Sequence, residues 1–484
     1  MQNHVVPALR RALSEASLLH SGASLLAAVS GGADSVALLY GLALLRQEEN
    51  FGLYAVHIEH GLRGKSSLAD ATFMEDVCQS LNVPLFLYHA KLGGDMNSPG
   101  VESRARKVRH GFFKEAMAAC NASAILTAHH QDDQAETVLM RLLRGAGSGG
   151  LGGMRTASPF GSGLLLRPFL SLPGQALSHA LAEMGTIWRE DESNHTPCCL
   201  RNQLRLEVFP QLEALQPRVA EHMAQTATLL AWDEDFLSDL AEQLLSAARQ
   251  PWPTGDALKR QPLLTAPIAL ALRTLRLWIR QRVNSTQPYE FDGEQSLSYD
   301  ETLRLYALLV SPIRGTVNLS GALRVTRGVD YLHLDGQFDS PNKTSVTPTL
   351  PVIMAPAQSL YALEMFSFRL SPQLPGDSFP NGKNAVVLTE SLLAKNPILR
   401  FPKPGDTIRP FGAPGSKPLR RYFTDCKVDA PFRESWPLLA CGKTILWVGG
   451  IGAAEETRLP ENSAEPCWHL SLENEVPLPS SRQS

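Results

Sequence analysis

Five apolar residues, Leu25 to Val29, run into Ser30-Gly31-Gly32-Ala33-Asp34-Ser35, and an apolar helical stretch resumes from Val36 to Leu45. No other feature limits the fold so tightly. A strand that turns through glycines straight into a helix aims backbone N–H groups and the positive helix end at one point, where a phosphate can sit. The two glycines let a ligand approach the backbone closely, and Ser30 and Ser35 offer hydroxyls. The loop is too short for a Walker A sequence and lacks its GK[ST] ending, which disfavours a P-loop enzyme.

The same alternation continues along the chain. Apolar runs at 53–58, 83–88 and 124–128 are separated by helical patterns starting near Ser67, Glu102 and Asp132. This spacing predicts βαβ units and a doubly wound parallel sheet. At 484 residues the chain is long enough for about three domains at ~150 residues each. The expected boundaries are 1–212 for the α/β domain, 213–338 for a helical middle domain, 339–351 for a Ser/Thr/Pro-rich linker, and 352–484 for a small α/β or α+β domain with a flexible tail. The 45 Lys and Arg against 48 Asp and Glu give a net charge of −3, so nucleic acid must be met by local basic patches. Seven Cys without a CxxC pair argue against a disulfide framework or zinc ribbon. Asp34 interrupts the longest N-terminal apolar stretch, and no leader-like segment precedes it, so no membrane contact and a cytoplasmic location are expected.

Further polar clusters stand at strand ends, where open α/β sheets gather ligands. His57-Ile-Glu-His60-Gly-Leu-Arg-Gly64 follows the second strand run and reads as nucleotide- or substrate-facing. Residues 101–114 carry Arg104, Arg106, Lys107, Arg109 and Lys114 against Glu102 alone; Ala105, Val108 and Phe112 form the expected buried stripe, with Arg106 and Arg109 on another face. Thr127-Ala-His129-His130-Gln-Asp132-Asp133-Gln-Ala-Glu136 runs from strand end into helix. These groups suit Mg²⁺ or a cationic amine, while Asp132 or Asp133 is also a ready helix cap. Gly145 to Gly153 matches GxGxxG but follows a helix, which fails the dinucleotide context and predicts a flexible loop. Arg201 and Arg205, one turn apart, can present two forked donors in one direction.

The string SGGxDS resembles the pyrophosphatase loop of the N-type ATP pyrophosphatases, the PP-loop superfamily. Together SGGADS, HIEHGLRG, ARKVRHGFF, TAHHQDDQAETVLMRLLRG, LLRPFL, EDESN and RNQLR, with PGDTIRP, GSKPLRRYF and ILWVGG near the C-terminus, resemble the tRNA(Ile)-lysidine synthetases. That resemblance implies an ATP-dependent ligase acting on tRNA(Ile) with a CAU anticodon. The C2 oxygen of the wobble cytidine is adenylated, and the ε-amine of free L-lysine then displaces AMP. It further implies that Ser30, Gly31, Gly32, Ala33, Asp34 and Ser35 hold the ATP phosphates, with Asp34 the Mg²⁺ or phosphate-side ligand and His57 facing the nucleotide. Arg106 and Arg109 fall at family positions with a phosphate role, although His110 stands where Tyr is usual. His129, Asp133 and Arg205 are expected to line the cytosine and lysine site; the choice between His129 and His130, and between Asp132 and Asp133, stays open. Residues 401–433 hold seven basic residues against three acidic, a sum of +4, and Lys417, Arg420 and Arg421 there are the expected tRNA contacts. The sequence leaves the oligomeric state open, a homodimer among the options. The rival readings are a tRNA thiolation enzyme on the same loop, disfavoured by the absence of paired cysteines, and a catalytically silent tRNA-binding relative.

Overall fold

The computed structural model describes residues 1, 3–20, 22–59, 65–90, 101–189, 199–252, 255–284, 297–321, 323–335, 352–354, 360–372, 382–459 and 465–473. His60 to Gly64, Glu190 to Cys198 and the expected linker at 339–351 lie outside them. The chain divides into two compact units, Met1–Phe236 and Leu237–Ser484.

In the first unit the elements are α1 (Val5–Glu15), β1 (Ser24–Ala28), α2 (Ala33–Glu49), β2 (Gly52–Glu59), α3 (Lys65–Ser80), β3 (Leu85–His89), α4 (Val101–Ala119), β4 (Ala124–Leu126), α5 (Gln131–Leu143), α6 (Ser148–Leu151), β5 (Ala157–Phe160), β6 (Gly163–Leu166), α7 (Gly174–Ala182), α8 (Leu200–Gln203), α9 (Phe209–Leu215) and the start of α10 (Val219–Ala248). The sheet order is β3-β2-β1-β4-β6-β5. All neighbours pair in parallel except β5 with β6, a hairpin closing one edge. Strand order reverses at β1, so the loops after β1 and β4 open into one crevice, the ordinary ligand position of such sheets. One apolar core packs α1, α2 and α7 against one face; a second, with Phe113, Ala116 and Met117 of α4, covers the other. The stripe expected on α4 is shifted accordingly: Ala105, Val108 and Phe112 are only half-buried, because the sheet is reached one turn later along the helix.

The Gly-rich segment expected to be a flexible loop is instead held. Ser148 to Leu151 build the single turn α6, and the Arg141 guanidinium donates to the carbonyls of Gly150 at 2.7 Å and Gly153 at 2.9 Å. The Gln134 amide bonds Met154 in both directions. Glycine is needed there for contact: a Cβ on Gly153 would lie 2.6 Å from the Gln134 side chain.

The second unit begins with the end of α10 and continues through β7 (Arg249–Trp252), β8 (Gly255–Lys259), α11 (Arg260–Thr265), α12 (Ile268–Asn284), α13 (Tyr299–Val310), β9 (Gly315–Asn318), β10 (Arg324–Arg327) and β11 (Tyr331–Asp335). The helices expected here are present, but so is an antiparallel sheet in the order β7-β8-β11-β10-β9. Its strands escape a periodicity reading because β11 is buried on both sides. Leu332 and Leu334 join a core with α12 and α13, while Tyr331 joins the core of the C-terminal strands. Those strands form a six-strand path, β12 (Val352–Ile353), β16 (Ile398–Arg400), β19 (Leu438–Cys441), β20 (Thr444–Val448), β17 (Thr407–Ile408) and β18 (Lys417–Pro418), with β21 (Gly452–Ala453) added on β20. Beside it lies the sheet β13 (Leu360–Leu363), β14 (Phe366–Pro372), β22 (Cys467–Leu472) and β15 (Ala385–Thr389). Short helices α14 (Glu390–Leu393), α15 (Leu419–Asp425) and α16 (Ala430–Arg433) connect them.

Candidate functional site

The loop after β1 is built by its own residues. Gly31 sits at φ +96°, where a side chain would be strained. Ser35 turns inward: its hydroxyl accepts the N–H groups of Ser30 at 3.1 Å and Gly31 at 3.2 Å and donates to the Gly32 carbonyl at 2.9 Å. Two amides expected to face a ligand are thereby used within the loop. Those that open outward belong to the first turn of α2, whose N-cap Gly32 provides no side-chain cap. The carboxylate of Asp34 is partly exposed there. His57 is buried in β2 beneath the loop, and its Nδ1 lies 2.9 Å from the Val29 carbonyl. Burial pushes its pKa down, so the ring is neutral and supports the loop from below rather than from the open face.

Opposite stands the start of α5. His130 is its N-cap: Nδ1 lies 3.3 Å from the Asp132 backbone nitrogen and 3.4 Å from the Asp132 carboxylate, and the Asp133 carboxylate accepts the His130 backbone N–H at 3.0 Å. Through Nε2 the same ring lies 3.6 Å from Asp34 and 3.5 Å from Asp133, joining the phosphate loop to α5. Burial opposes charge on His130, yet the hydrogen bond to Asp34 and the fields of Asp133, Asp34 and Asp132 outweigh it and push the pKa up to about 9. His129 differs. Burial drives its pKa down, only partly countered by Asp133, and its Nδ1 meets the Thr127 hydroxyl at 2.9 Å. One neighbour is therefore a cation and the other a neutral ring.

Asp133 and Glu136 share a face of α5. Arg201 and Arg205, from α8 and the single π-turn after it, each place Nε on Glu136, at 2.7 and 2.6 Å, and a terminal nitrogen near Asp133, at 3.6 and 3.4 Å. Burial acts against ionised Asp133, but the charges of His130 and Arg201 hold its pKa below the usual value. The sequence puts Glu136 in the acidic cluster suited to Mg²⁺ or an amine; the structure buries it almost fully and gives its carboxylate to two arginines, a pairing the sequence reading does not contain. The available signal was complementary spacing: carboxylates three apart on one helix facing arginines four apart on another. Asp132 turns from the arginines to the other edge of the His130 ring, taking the Gly174 N–H at 3.0 Å.

Arg106 and Arg109 are exposed on α4, almost one turn apart. The Arg109 charge bears on His129 and helps to keep that ring neutral. His110 keeps the aromatic packing of its position, edge-on to Phe160 at 5.2 Å. Among the described residues no group of three or more His, Cys, Asp or Glu side chains suits a metal ion. Mg²⁺ is commonly held by one or two carboxylates together with substrate phosphates, and the partly exposed Asp34 carboxylate is of the kind that arrangement uses.

Within the C-terminal strands, Lys403, Arg409, Arg420, Arg421 and Lys427 are exposed. Arg420 and Arg421 occupy the first turn of α15, whose Leu419, Tyr422 and Phe423 are buried. Lys417 is neutralised locally by Asp425 at 2.7 Å and lies 5.7 Å from the Tyr422 ring centre. Arg433 is also occupied, donating to the Val428 carbonyl.

Comparison with known proteins agrees with these two regions. A PP-loop domain model matches residues 2–212, and a model of the TilS substrate C-terminal domain matches residues 398–472. A tRNA(Ile)-lysidine synthase of Geobacter sulfurreducens is 32% identical over 95% of this chain and 95% of its own length. Enzymes of the same name from Symbiobacterium thermophilum and Bacillus subtilis are 32% and 29% identical, covering 90% and 91% of this chain and 91% and 92% of their own lengths.

Proposed function

We propose how this chain works from the premise that it belongs to the tRNA(Ile)-lysidine synthase family, an ATP-using family of PP-loop ligases that modifies tRNA. The substrate is the wobble cytidine of tRNA(Ile) with a CAU anticodon, and the product is lysidine. Its C2 oxygen attacks the α-phosphorus of ATP; the α–β phosphoanhydride bond breaks and pyrophosphate leaves. The ε-amine of free lysine then attacks C2, the C2–O bond breaks, AMP departs and the amine loses a proton. The first step matters because the exocyclic oxygen on C2 is a poor leaving group by itself and a good one as AMP.

The observation that carries this reading is the convergence of Asp34, His130, Asp133, Glu136, Arg201 and Arg205 on one network. With Asp132 its charges leave one negative in excess, a setting that favours an incoming ammonium group. Phosphate charge is met instead by the Ser30 to Ser35 loop and by Arg106 and Arg109. Mg²⁺, when bound at Asp34, would offset charge on the phosphates. His129, neutral and beside Asp133, lines the cytosine and lysine side with Arg205. Arg420 and Arg421 are the tRNA contacts of the C-terminal region by exposed charge, and Lys417 joins them only by exchanging Asp425 for a phosphate. No helix among the described residues is long and apolar enough to cross a membrane; we assign the chain to the cytoplasm, where its tRNA resides.

The test combines purified protein, a tRNA(Ile) transcript with a CAU anticodon, ATP and labelled lysine. The expected result is label in the tRNA with equal amounts of AMP and pyrophosphate. Pyrophosphate release without lysine incorporation, but with sulfur incorporation from a donor, would transfer the chain to the thiolation reading. No pyrophosphate at all would leave a silent tRNA-binding protein.

A further inference from the structure

The segment after β6 wraps around the start of α5. His130 and Phe169 form a parallel bridge, the Gln131 N–H donates to the Leu172 carbonyl at 2.9 Å, and Gly174, the first residue of α7, reaches the Asp132 carboxylate. The approach at Gly174 is close. A Cβ there would stand 2.9 Å from Cε1 and 3.1 Å from Nε2 of His130, and 3.0 Å from the Asp132 carboxylate. Nothing in the backbone dihedrals demands glycine at this position, which is not among the positive-φ residues. A helix would gain from Ala here, so the missing side chain answers to contact with the ring.

We propose that Gly174 and Asp132 are positioning residues that fix the His130 ring, Asp132 by anchoring the start of α7 and Gly174 by bounding the ring edge, so that Nε2 stays between Asp34 and Asp133. The inference rests on the assignment of Asp34 and Asp133 to the adenylation site. One oxygen of Asp132, Oδ2, lies 3.4 Å from the ring Nδ1 and accepts the Gly174 N–H, so ring and helix start are tied to the same atom. An added methyl must push the ring or the helix by several tenths of an ångström, and the Nε2 to Asp34 distance changes with it. Charge-bearing sites lose rate steeply when a group is displaced by such amounts.

The test uses the full chain with tRNA(Ile) transcript, ATP and lysine, and compares Gly174→Ala, Asp132→Ala and Asp132→Asn. Gly174→Ala should lower kcat for pyrophosphate release about ten-fold while KM for tRNA and the melting temperature stay near the parent's. Asp132→Ala should fall similarly. Asp132→Asn, which keeps an oxygen for the Gly174 N–H, should recover a large part of the loss. Parental kcat in Gly174→Ala, or a loss matched by the loss of folded protein, would overturn the proposal. If Gly174→Ala does not fold, the Asp132 pair decides: equal kcat in the Asn and Ala variants overturns it. Parent-like pyrophosphate release by Asp34→Ala would overturn the site assignment itself, an outcome distinct from a working Gly174→Ala beside a dead Asp34→Ala.

Discussion

Two arginine–carboxylate groupings in this molecule have the same chemistry and opposite construction. In the C-terminal strands, Arg400 and Asp406 make two 2.8 Å bonds to each other, and both side chains are almost wholly buried. The leftover donors of Arg400 go to the Phe401 and Gly442 carbonyls, and Asp406 also takes the Lys403 N–H at 2.7 Å. In the first unit, by contrast, Arg201 and Arg205 share Glu136 and reach Asp133 at longer range, and Asp133 is shared again with His130. The first grouping is closed, with charges matched and hydrogen bonds satisfied, as buried ion pairs require. The second is unbalanced and partly exposed, which leaves charge for a ligand to complete.

Substitution at each should therefore fail differently. Asp34→Ala, at the open grouping, should cut pyrophosphate release by on the order of 10³-fold or more, with tRNA binding and melting temperature close to the parent's. Parent-rate AMP formation would remove the loop from the catalytic site. At the closed grouping, Asp406→Ala should leave the Arg400 charge buried alone and cost about 3–5 kcal/mol of unfolding free energy. Denaturant titration measures it, and a loss below about 1 kcal/mol would mean that water reaches Arg400.

The His130 charge makes a pH prediction with a definite sign. Its folded pKa, about 9, lies above the ordinary 6.5, so its stabilising effect is complete below pH 6.5 and fades as pH rises through 9. The parent should lose up to about 3 kcal/mol of stability across that window relative to His130→Gln. Parallel pH curves for the two proteins would show that the ring is not charged in the folded state. Arg205→Ala should lower kcat by about 10²-fold with little change in melting temperature, since Arg201 still covers Glu136. A large fall in melting temperature with unchanged turnover would assign Arg205 to the closed kind of grouping. The smallest effect is expected from Arg420→Ala with Arg421→Ala, which should weaken tRNA binding and flatten its log–log salt slope by ~1.5. An unchanged slope with normal affinity, in titrations of labelled tRNA at several salt concentrations, would move the grip elsewhere.

Sequence legibility followed the range of the interactions. The four parallel strands near 25, 53, 85 and 124 and the helices between them announce themselves by apolar runs and periodicity. The middle antiparallel sheet does not, because β11 is covered on both faces and shows no alternation. At the site, the residue types were legible and their duties were not. Nothing local distinguishes Asp132, which holds Gly174, from Asp133, which faces the arginines. Ser35 reads as a phosphate donor and spends its hydroxyl on the loop. Lys417 counts as free charge until Asp425, eight residues on, is found beside it.

By itself, then, the sequence determined the strand, glycine loop and helix, the α/β class, and the reservoir of arginines and carboxylates from which a site could be made. These depend on dihedral preference and on the period of apolar residues, both properties of a short stretch of chain. The tertiary structure alone decided that Arg205 meets Glu136 across 69 residues of chain, that the ring of His129 is neutral while that of His130 is charged, and that Gly174 presses against the charged one. Those outcomes depend on burial and on which charges the fold brings within a few ångströms, and a pKa or a steric limit has no value until those neighbours are in place.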